Sequence, residues 1–288
     1  MILKWKAWNI GLTCLGLALA ILAVVWRLAI FPSMAKLPAD YHYVVDFEGI
    51  NKVINTQTMS LDEIPVKVKR EQRATEVQGN VLIINQVITT THAVAGTELT
   101  QFGRNEMLGV NRSTREYVLG YGDMDRSGQF TLPAALAKRS YTMWSPTAGR
   151  PLEAVFTGEE DLQGIRVFAY RISEQGLDIG VHSESGLPQV LDVDVIMKAE
   201  PVSGTTVVSE SDTTIKVVAA PGMQIPVYVS SIKFTDDTIA DMVDTAKSAR
   251  MLLLWAKVYG FWLVIGVGIV LILVGVLGAI RTRPREVV

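Results

Sequence analysis

The sequence contains a single cysteine, Cys14, among its 288 residues. One cysteine cannot form an intramolecular disulfide, and it leaves the chain without a cysteine-ligated metal site. Thr13 precedes it where a lipoprotein signal would have glycine or alanine, so Cys14 is not predicted to carry a lipid. The fold must therefore rest on a hydrophobic core large enough to hold without covalent cross-links.

Recognisable catalytic motifs are also absent. The three histidines, His42, His92 and His182, are far apart, and none belongs to an HxxH or HExxH pattern. The sequence has neither a GxSxG nucleophile elbow nor a phosphate-binding P-loop. These absences predict a protein that is not an enzyme and has no cofactor. A hydrolase would need a site that the sequence does not reveal.

Acidic residues are nearly absent from both ends of the chain. Residues 32–250 hold 28 of the 29 acidic residues but only 20 of the 27 lysines and arginines, which gives this region a net charge of −8. Nucleic-acid binding requires clustered lysine and arginine that displace counterions from the phosphates. The acidic middle region therefore argues against a nucleic-acid partner.

Two apolar segments, 8–31 and 252–280, occupy the ends. Each is long enough to cross a hydrocarbon core of ~30 Å as a helix, so both are predicted to be transmembrane helices in contact with the lipid bilayer. The side chains expected at the membrane interfaces are aromatic or basic: Trp5, Trp8, Trp26, Trp255, Lys257, Tyr259 and Trp262. A cleaved signal peptide is the alternative for the first segment, but no A-x-A cleavage site follows it.

Basic residues flank the two apolar segments on the sides that face away from the middle region. They are Lys4, Lys6, Arg281, Arg283 and Arg285. Cytoplasmic flanks of membrane helices carry an excess of lysine and arginine. This rule predicts a protein of the cell membrane with residues 1–7 and 281–288 in the cytoplasm and residues 32–234 outside it.

Small residues spaced by four occur in both apolar segments. They are Gly16 and Ala20 in the first segment, and Gly275 and Ala279 in the second. Such spacing lets helix backbones approach closely, so these residues are candidates for helix–helix packing. The alternative is that glycine and alanine are simply common in membrane helices.

Between the apolar segments the hydrophobic pattern has a period of two. It is clearest in 166–173, 190–199, 213–218 and 226–234, where β-branched and aromatic residues alternate with polar ones. Turn-forming residues separate these runs, which predicts short antiparallel strands with one buried and one solvated face. Segment 132–144 differs and predicts a short helical turn after Pro133. The predicted fold class is a membrane-anchored α+β fold, with a mainly antiparallel β extracytoplasmic domain between terminal transmembrane helices.

The pattern changes to helical spacing at residue 235. Thr235 is a suitable N-cap, and the acidic residues after it favour the first turn of a helix. Neither proline nor glycine occurs between Thr235 and Gly260. We therefore expect a membrane-proximal helix over 235–251 that continues into the second transmembrane segment.

One acidic segment resembles the start of a calcium-binding loop. Its candidate ligands are Asp123, Asp125 and Ser127. The bidentate glutamate expected at the twelfth position is replaced by Ala134, which would make the metal site weak. A hairpin turn between strands at 116–121 and 129–133 explains the aspartates and the glycine better.

The order of several segments resembles that of the bacterial PorA porin family. The segments are GQFTLPAALAKRSYTMWSP (128–146), GEEDLQGIRVFAYRI (158–172), AEPVSGTTV (199–207) and FTDDTIADMVDTAKSARMLLLW (234–255). The likeness covers most of the chain. It implies two terminal helices around an extracytoplasmic domain in a bacterial cell envelope, and it implies no catalytic residues.

These observations predict a non-enzymatic envelope protein. In the first hypothesis, the outer domain binds a hydrophobic or envelope-derived ligand, such as a lipid, or a neighbouring envelope protein. That hypothesis predicts an apolar cavity inside the domain. The alternative is an accessory or scaffolding subunit of a larger membrane complex.

Overall fold

The computed structural model describes residues 7–55, 57–183 and 185–281. The chain divides into two compact units. The helical unit lies within residues 7–36 and 251–281, and the sheet unit is Leu37–Arg250.

The helical segments of the described chain are four α-helices, two π-helical turns and one short 3-10 helix, Thr100–Phe102. They are α1 Ala7–Val25, the turn Trp26–Ile30, α2 Phe31–Met34, α3 Asp236–Leu254, the turn Trp255–Tyr259 and α4 Gly260–Arg281. No loop separates α3 from α4. Two uninterrupted helical stretches, Ala7–Ala29 and Asp236–Ile280, are long and apolar enough to cross a membrane.

Helices α1 and α4 pack antiparallel through glycine. A Cβ atom added to Gly16 would lie 2.6 Å from the Gly268 carbonyl oxygen, and one added to Gly268 would lie 2.9 Å from the Gly16 oxygen. The main-chain nitrogen of Ala20 lies 3.5 Å from that second position. The two backbones therefore meet at Gly16, and its counterpart Gly268 was not among the small residues predicted from spacing.

The contact between α1 and α4 continues toward the start of α1 and the end of α4. A Cβ atom on Gly275 would lie 2.8 Å from the Asn9 carbonyl oxygen, which also accepts a hydrogen bond from the Thr13 hydroxyl at 2.9 Å. Ala279 is 2% exposed. Because these residues of α4 are small, polar groups of α1 can lie close to the α4 backbone.

The two π-helical turns lie opposite each other. The Trp26 indole nitrogen donates to the Ala256 carbonyl oxygen at 2.9 Å, and the Arg27 guanidinium donates to the Lys257 carbonyl oxygen at 3.1 Å. A π-turn interrupts the regular helical hydrogen bonds and leaves carbonyl oxygens free to accept side-chain donors. Arg27 also lies 5.9 Å from the centre of the Phe31 ring.

The sheet unit contains eleven strands. They are β1 His42–Asn55, β2 Ser60–Gln78, β3 Val81–His92, β4 Arg104–Asn111, β5 Tyr117–Gly122, β6 Tyr141–Ser145, β7 Arg150–Leu162, β8 Ile165–Val181, β9 Pro188–Ala199, β10 Thr206–Ala220 and β11 Met223–Phe234. Most are longer than the predicted short strands, because the turn-forming residues within them occupy bulges and register shifts of the ladder.

All neighbouring strands are antiparallel, in the order β5-β4-β3-β2-β1-β11-β10-β9-β8-β7-β6. The first and last strands pair in the middle of the sheet, with Phe47 opposite Phe234. The chain therefore enters and leaves the sheet unit at neighbouring positions. The mainly antiparallel β architecture with apolar helices near both termini is confirmed.

Gln129 joins the two edge strands. Its main-chain N–H donates to the Thr142 oxygen of β6 at 2.7 Å, and its oxygen accepts from Trp144 N–H at 3.3 Å. On the other side, Tyr117 N–H of β5 donates to the Gly128 oxygen at 2.9 Å. Gly128 has φ +83°, and a Cβ there would lie 2.8 Å from the Thr142 oxygen, so glycine is required. The sheet is closed into a ring at this seam.

The prediction of a helical turn after Pro133 is wrong. Residues 131–140, all of them described, form neither helix nor strand. Their main chain instead bonds to another loop: Ala135 N–H donates to the Val202 oxygen at 3.0 Å, and Leu136 N–H donates to the Pro201 oxygen at 2.7 Å. These tertiary bonds replace the i to i+4 bonds of a helix. The expected strand at 129–133 is likewise reduced to the bridges of Gln129.

Glu200 organises the loop that receives this segment. Its carboxylate is 1% exposed and accepts from Val202 N–H at 3.1 Å and from Ser203 N–H at 2.7 Å. The Arg250 guanidinium at the end of α3 lies 3.8 Å from the same carboxylate. One buried side chain thus holds the loop and contacts the helix.

Helix α3 covers the apolar part of the sheet unit. Thr235 caps its first turn, with its hydroxyl accepting from Thr238 N–H at 3.2 Å, and the Thr238 hydroxyl bonds to the Asp46 carbonyl oxygen at 3.1 Å. The buried residues that pack together in this core include Val45, Phe47, Val68, Phe234, Met242, Val243 and Ala246. The helix begins where the sequence predicts, one residue after the cap.

We expect Gly16→Val to lower the unfolding temperature of the full chain in detergent. The new side chain would overlap the Gly268 carbonyl group, and overpacking of this kind costs roughly 1–3 kcal/mol. The control is Gly11→Val on the same helix, because no atom lies within 4 Å of a Cβ at Gly11. Thermal melts followed by circular dichroism would contradict the packing if both variants lost equal stability.

Glu200→Ala is expected to destabilise the sheet unit, because it leaves the buried Ser203 N–H group and the half-buried Val202 N–H group without an acceptor. Each unsatisfied buried donor costs about 1–3 kcal/mol. The exposed Glu210→Ala should change the unfolding temperature little. Thermal denaturation of the two variants and the natural protein measures the difference, and a Glu200→Ala melt that matched that of Glu210→Ala would refute the role of the carboxylate.

Candidate functional site

The inner face of β2 changes from apolar to polar along its length. Val66 and Val68 are buried in the core, and Arg70 and Gln72 follow at alternate positions on the same face. Lys67 and Lys69, which alternate with them, are exposed. The interior of the sheet unit therefore has an apolar region under α3 and a polar region beyond it.

A row of polar side chains crosses this polar region. The pairing register places Gln72 opposite Gln86 and Gln86 opposite Glu106. The Tyr41 hydroxyl donates to Gln72 at 3.1 Å, Gln72 Nε2 donates to Gln86 Oε1 at 2.6 Å, and Gln86 Nε2 donates to Glu106 Oε2 at 2.8 Å. Arg126, whose side chain is 3% exposed, lies 3.6 Å from Glu106 at the end of the row. Each buried polar group in this row has a partner.

The predicted calcium ligands lie at the end of the same row. The Asp123 carboxylate accepts from Arg126 at 2.6 Å and from Met107 N–H at 2.9 Å. The Asp125 carboxylate accepts from Gly120 N–H at 2.8 Å. These carboxylates already bind protein donors, and the residues that the structure describes contain no cluster of three metal-ligating side chains. The geometry favours a structural role for both aspartates.

An aromatic wall lies beside the row. The Tyr41 and Tyr43 rings stack with their centres 6.4 Å apart, and Tyr41 meets Phe130 edge to face at 6.2 Å. Tyr117 contacts Phe130 at 5.8 Å and Trp144 at 6.3 Å. Phe130 and Trp144 flank the seam at Gln129, so closing the sheet also assembles this wall.

Two arginines lie beside the aromatic wall, and neither has a carboxylate partner among the described residues. The Arg115 guanidinium donates to the Leu132 carbonyl oxygen at 2.8 Å, but its Nε atom is buried and has no acceptor. The Nε atom of Arg70 is also buried without an acceptor. In the described parts of the chain, neither guanidinium forms an ion pair. We call Arg70, Arg115, Tyr41, Tyr43 and Tyr117 the arginine–tyrosine recess.

Electrostatic effects show that these groups are neighbours. Burial raises the pKa of Tyr41, whereas the nearby guanidiniums of Arg70 and Arg115 act to lower it. Burial also lowers the pKa of Arg115, because its charged form is poorly solvated. The Arg70 guanidinium also lies 5.2 Å from the centre of the Phe47 ring, so an aromatic face contacts one of the two cations.

The grooves on the sheet are not the apolar cavity that the sequence predicts. One groove of about 780 Å³ is open and lined by side chains that include Asp46, Lys67, Lys69 and Asp236. A second groove of about 460 Å³ is also open and includes Lys233 among its lining residues. Both carry charged walls.

The predicted membrane-interface residues divide into two groups. Trp26 and Lys257 take part in the hydrogen bonds between the π-helical turns. The exposed members are Trp8, Trp255, Tyr259 and Trp262. The one other interface residue, Trp5, lies outside the described residues, as do the topology residues Lys4, Lys6, Arg283 and Arg285, and only the backbone of Arg281 is described.

Sequence reasoning missed the recess, although a signal for Arg70 was present. In VKVKREQR (66–73) the period of two that puts Val66 and Val68 inside also puts Arg70 and Gln72 inside. A charged residue in phase with buried valines predicts an interior charge. Arg115 carries no such signal, because only the seam brings it into the interior.

The chain is similar to a known protein family. The chain matches the family model described as Porin PorA over residues 10–277. A comparison with curated protein sequences gives no match.

Asp123→Asn is expected to reduce stability at neutral pH and to have little effect in acid. Burial acts to raise the pKa of Asp123, but hydrogen bonds from Arg126 and Met107 N–H outweigh it and hold that pKa below its usual value. A lowered native pKa stabilises the fold above the unfolded-state pKa of about 4, and this contribution disappears as the pH falls through the native value. Unfolding temperatures measured from pH 7 to about pH 3 should converge for variant and natural protein.

The matched substitution is the exposed Asp161→Asn. A gap between natural protein and Asp123→Asn that stayed constant as the pH fell would rule out the ion pair as its cause.

Proposed function

Because the chain belongs to the PorA porin family, we propose that it is a non-enzymatic membrane protein of the cell envelope whose sheet unit binds an envelope component outside the cytoplasm. In this proposal the two apolar helices cross the bilayer as a pair. Both termini lie in the cytoplasm, and residues 32–234 lie outside.

The antiparallel pairing of α1 and α4 carries the anchoring part of the proposal. Glycine contacts such as Gly16 with Gly268 are typical of helices that associate in lipid, where close backbone approach replaces the hydrophobic effect. An antiparallel pair returns the chain to the side from which it came. The middle pairing of β1 with β11 suits this arrangement, because the sheet unit begins and ends at neighbouring strands.

The surface of the sheet supports a position outside the hydrocarbon. A membrane-embedded barrel presents an apolar band to lipid on its outer face. Here the exposed positions of β1 and β2 carry Asp46, Glu48, Lys67 and Lys69. In this proposal the helices span the membrane and the closed sheet is in contact with water.

Arg70 and Arg115 keep buried Nε donors without acceptors inside the sheet unit, which supports a binding role. A scaffold needs no buried cations, and charges inside proteins are usually paired because desolvation is costly. The scaffolding alternative is further weakened by the helices. Gly16, Gly268 and Gly275 pack within this chain and are not left for a partner helix.

Reporter fusions would test the topology. An enzyme reporter that is active only outside the cytoplasm should work when inserted at Gly186, which follows an exposed turn, and should fail when fused after residue 288. A reporter that is active only in the cytoplasm should give the reverse result. Cytoplasmic activity at Gly186 would overturn the proposed function, and a fusion after Arg150 serves as a second site within the sheet unit.

A further inference from the structure

The two π-helical turns bring two cations to one aromatic ring. The Arg27 guanidinium carbon lies 5.9 Å from the centre of the Phe31 ring, and the Lys257 ammonium nitrogen lies 6.0 Å from the same centre. Arg27 is also 5.9 Å from the centre of the Phe261 ring. Because Arg27 and Lys257 are 230 positions apart in the chain, only the pairing of the helices brings their charges together. We call Arg27 and Lys257 the interface cation pair.

No acidic side chain of the helical unit balances this pair. Residues 7–36 and 251–281 contain neither aspartate nor glutamate. In the described parts of the chain, no carboxylate forms an ion pair with Arg27 or Lys257. The ring faces attract both cations, but they leave the two like charges close together and without a counter-charge. An anion from outside the chain would therefore be stabilised at this point.

Arg27 is oriented before any ligand binds. One of its terminal nitrogens donates to the Lys257 carbonyl oxygen at 3.1 Å, and beside it the Trp26 indole donates to the Ala256 carbonyl oxygen at 2.9 Å. The side chain of Arg27 is nevertheless exposed, so its other N–H donors remain accessible. A guanidinium donates paired hydrogen bonds to phosphate oxygens. The two turns thus hold a phosphate-binding group in place at no cost to the ligand.

The side chains next to the cation pair in sequence are large, apolar or aromatic, and exposed. Leu28 is 73% exposed, and the exposed members beside Lys257 are Trp255 and Tyr259. Charges next to exposed aromatic and apolar side chains are typical of the boundary between hydrocarbon and headgroups. An anion that meets the pair at such a boundary is one that is attached to apolar chains. The surroundings therefore favour a lipid phosphate over a soluble anion.

We propose that the interface cation pair binds the phosphate of an anionic phospholipid. The Arg27 guanidinium donates to the phosphate oxygens, Lys257 adds the second positive charge, and the acyl chains lie against exposed apolar side chains such as Leu28. A zwitterionic phospholipid fits less well, because its own cation already balances its phosphate and repels the pair. This inference rests on the proposed function, since it requires both helices to lie in a bilayer.

Lipid titration of the full chain in a non-ionic detergent tests this site. The probes are phosphatidylglycerol, phosphatidylcholine with the same acyl chains, and sodium phosphate. Native mass spectrometry counts the lipids that the chain retains, and thermal melts follow the rise in unfolding temperature that a ligand of the folded state causes. We expect phosphatidylglycerol to be retained at a lower concentration than phosphatidylcholine, and to raise the unfolding temperature further.

Lys257→Gln and Arg27→Gln should each raise the concentration of phosphatidylglycerol needed for half-occupancy about fivefold, the attraction that one basic residue contributes near an anionic lipid surface. Lys257→Gln keeps the main-chain oxygen that accepts from Arg27, so the turns stay joined. Should Arg27→Gln fail to fold, Arg27→Lys provides a second test, because it keeps the charge and removes the paired donors. It should also weaken the retention of phosphatidylglycerol.

Lys247→Gln is the matched control. Lys247 is an exposed lysine of α3 that pairs with Asp244 at 3.3 Å, so its substitution removes one positive charge away from the cation pair. Lipid retention should stay that of the natural chain. Equal losses in Lys247→Gln and Lys257→Gln would overturn the site, because net charge alone would then explain the binding.

Equal retention of phosphatidylglycerol and phosphatidylcholine would also overturn the site, since the two cations would then contact any headgroup. Sodium phosphate that raised the unfolding temperature as much as phosphatidylglycerol would overturn the lipid as the ligand. A failed titration, combined with a reporter that places Gly186 outside the cytoplasm, would refute only the lipid site. Cytoplasmic activity of that reporter would refute the proposed function whatever the titrations gave.

Discussion

The main-chain hydrogen bonds of residues 128–130 hold the sheet unit in its closed form. An open sheet of eleven strands would expose two edges, and each edge would offer unpaired N–H and C=O groups to other chains. Gln129 bridges the two edges because it bonds to β6 on one side while Gly128 accepts a bond from Tyr117 of β5 on the other. The loop at Glu200 then braces the chain that follows the seam. Closure replaces the cross-links that a chain with one cysteine cannot form.

The interior created by this closure has two regions with different chemistry. Under α3 the inner faces carry valine and phenylalanine, and the helix contributes Met242 and Val243 to a dry core. Farther along the same strands, Gln72, Gln86 and Arg70 replace the apolar residues. Burial of apolar area stabilises the first region. The second is held by hydrogen bonds that leave the Nε donors of Arg70 and Arg115 without acceptors.

Local patterns in the sequence predict those parts of the structure that depend on local interactions. The alternation in 66–73 reports which β2 side chains share a face, and Thr235 with the helical spacing after it predicts the start of α3. The apolar lengths of both terminal segments predict helices. Strand length was harder to predict, because bulges such as the one between Glu174 and Leu177 continue a ladder that turn-forming residues would end if they acted alone.

The sequence by itself determined the period of each element, the apolar character of both end helices and the absence of covalent cross-links, since these depend on neighbouring residues and composition. Only the tertiary structure decided that Gln129 would close the sheet and that Gly268 would face Gly16. It also decided that the Pro201 oxygen would accept a hydrogen bond from Leu136, a tertiary bond that takes the place of helical bonds in residues 131–140. The same holds for the recess. Arg70 and Arg115 are 45 positions apart in the chain, and their place in one interior depends on strand register and on the seam, which no local pattern encodes.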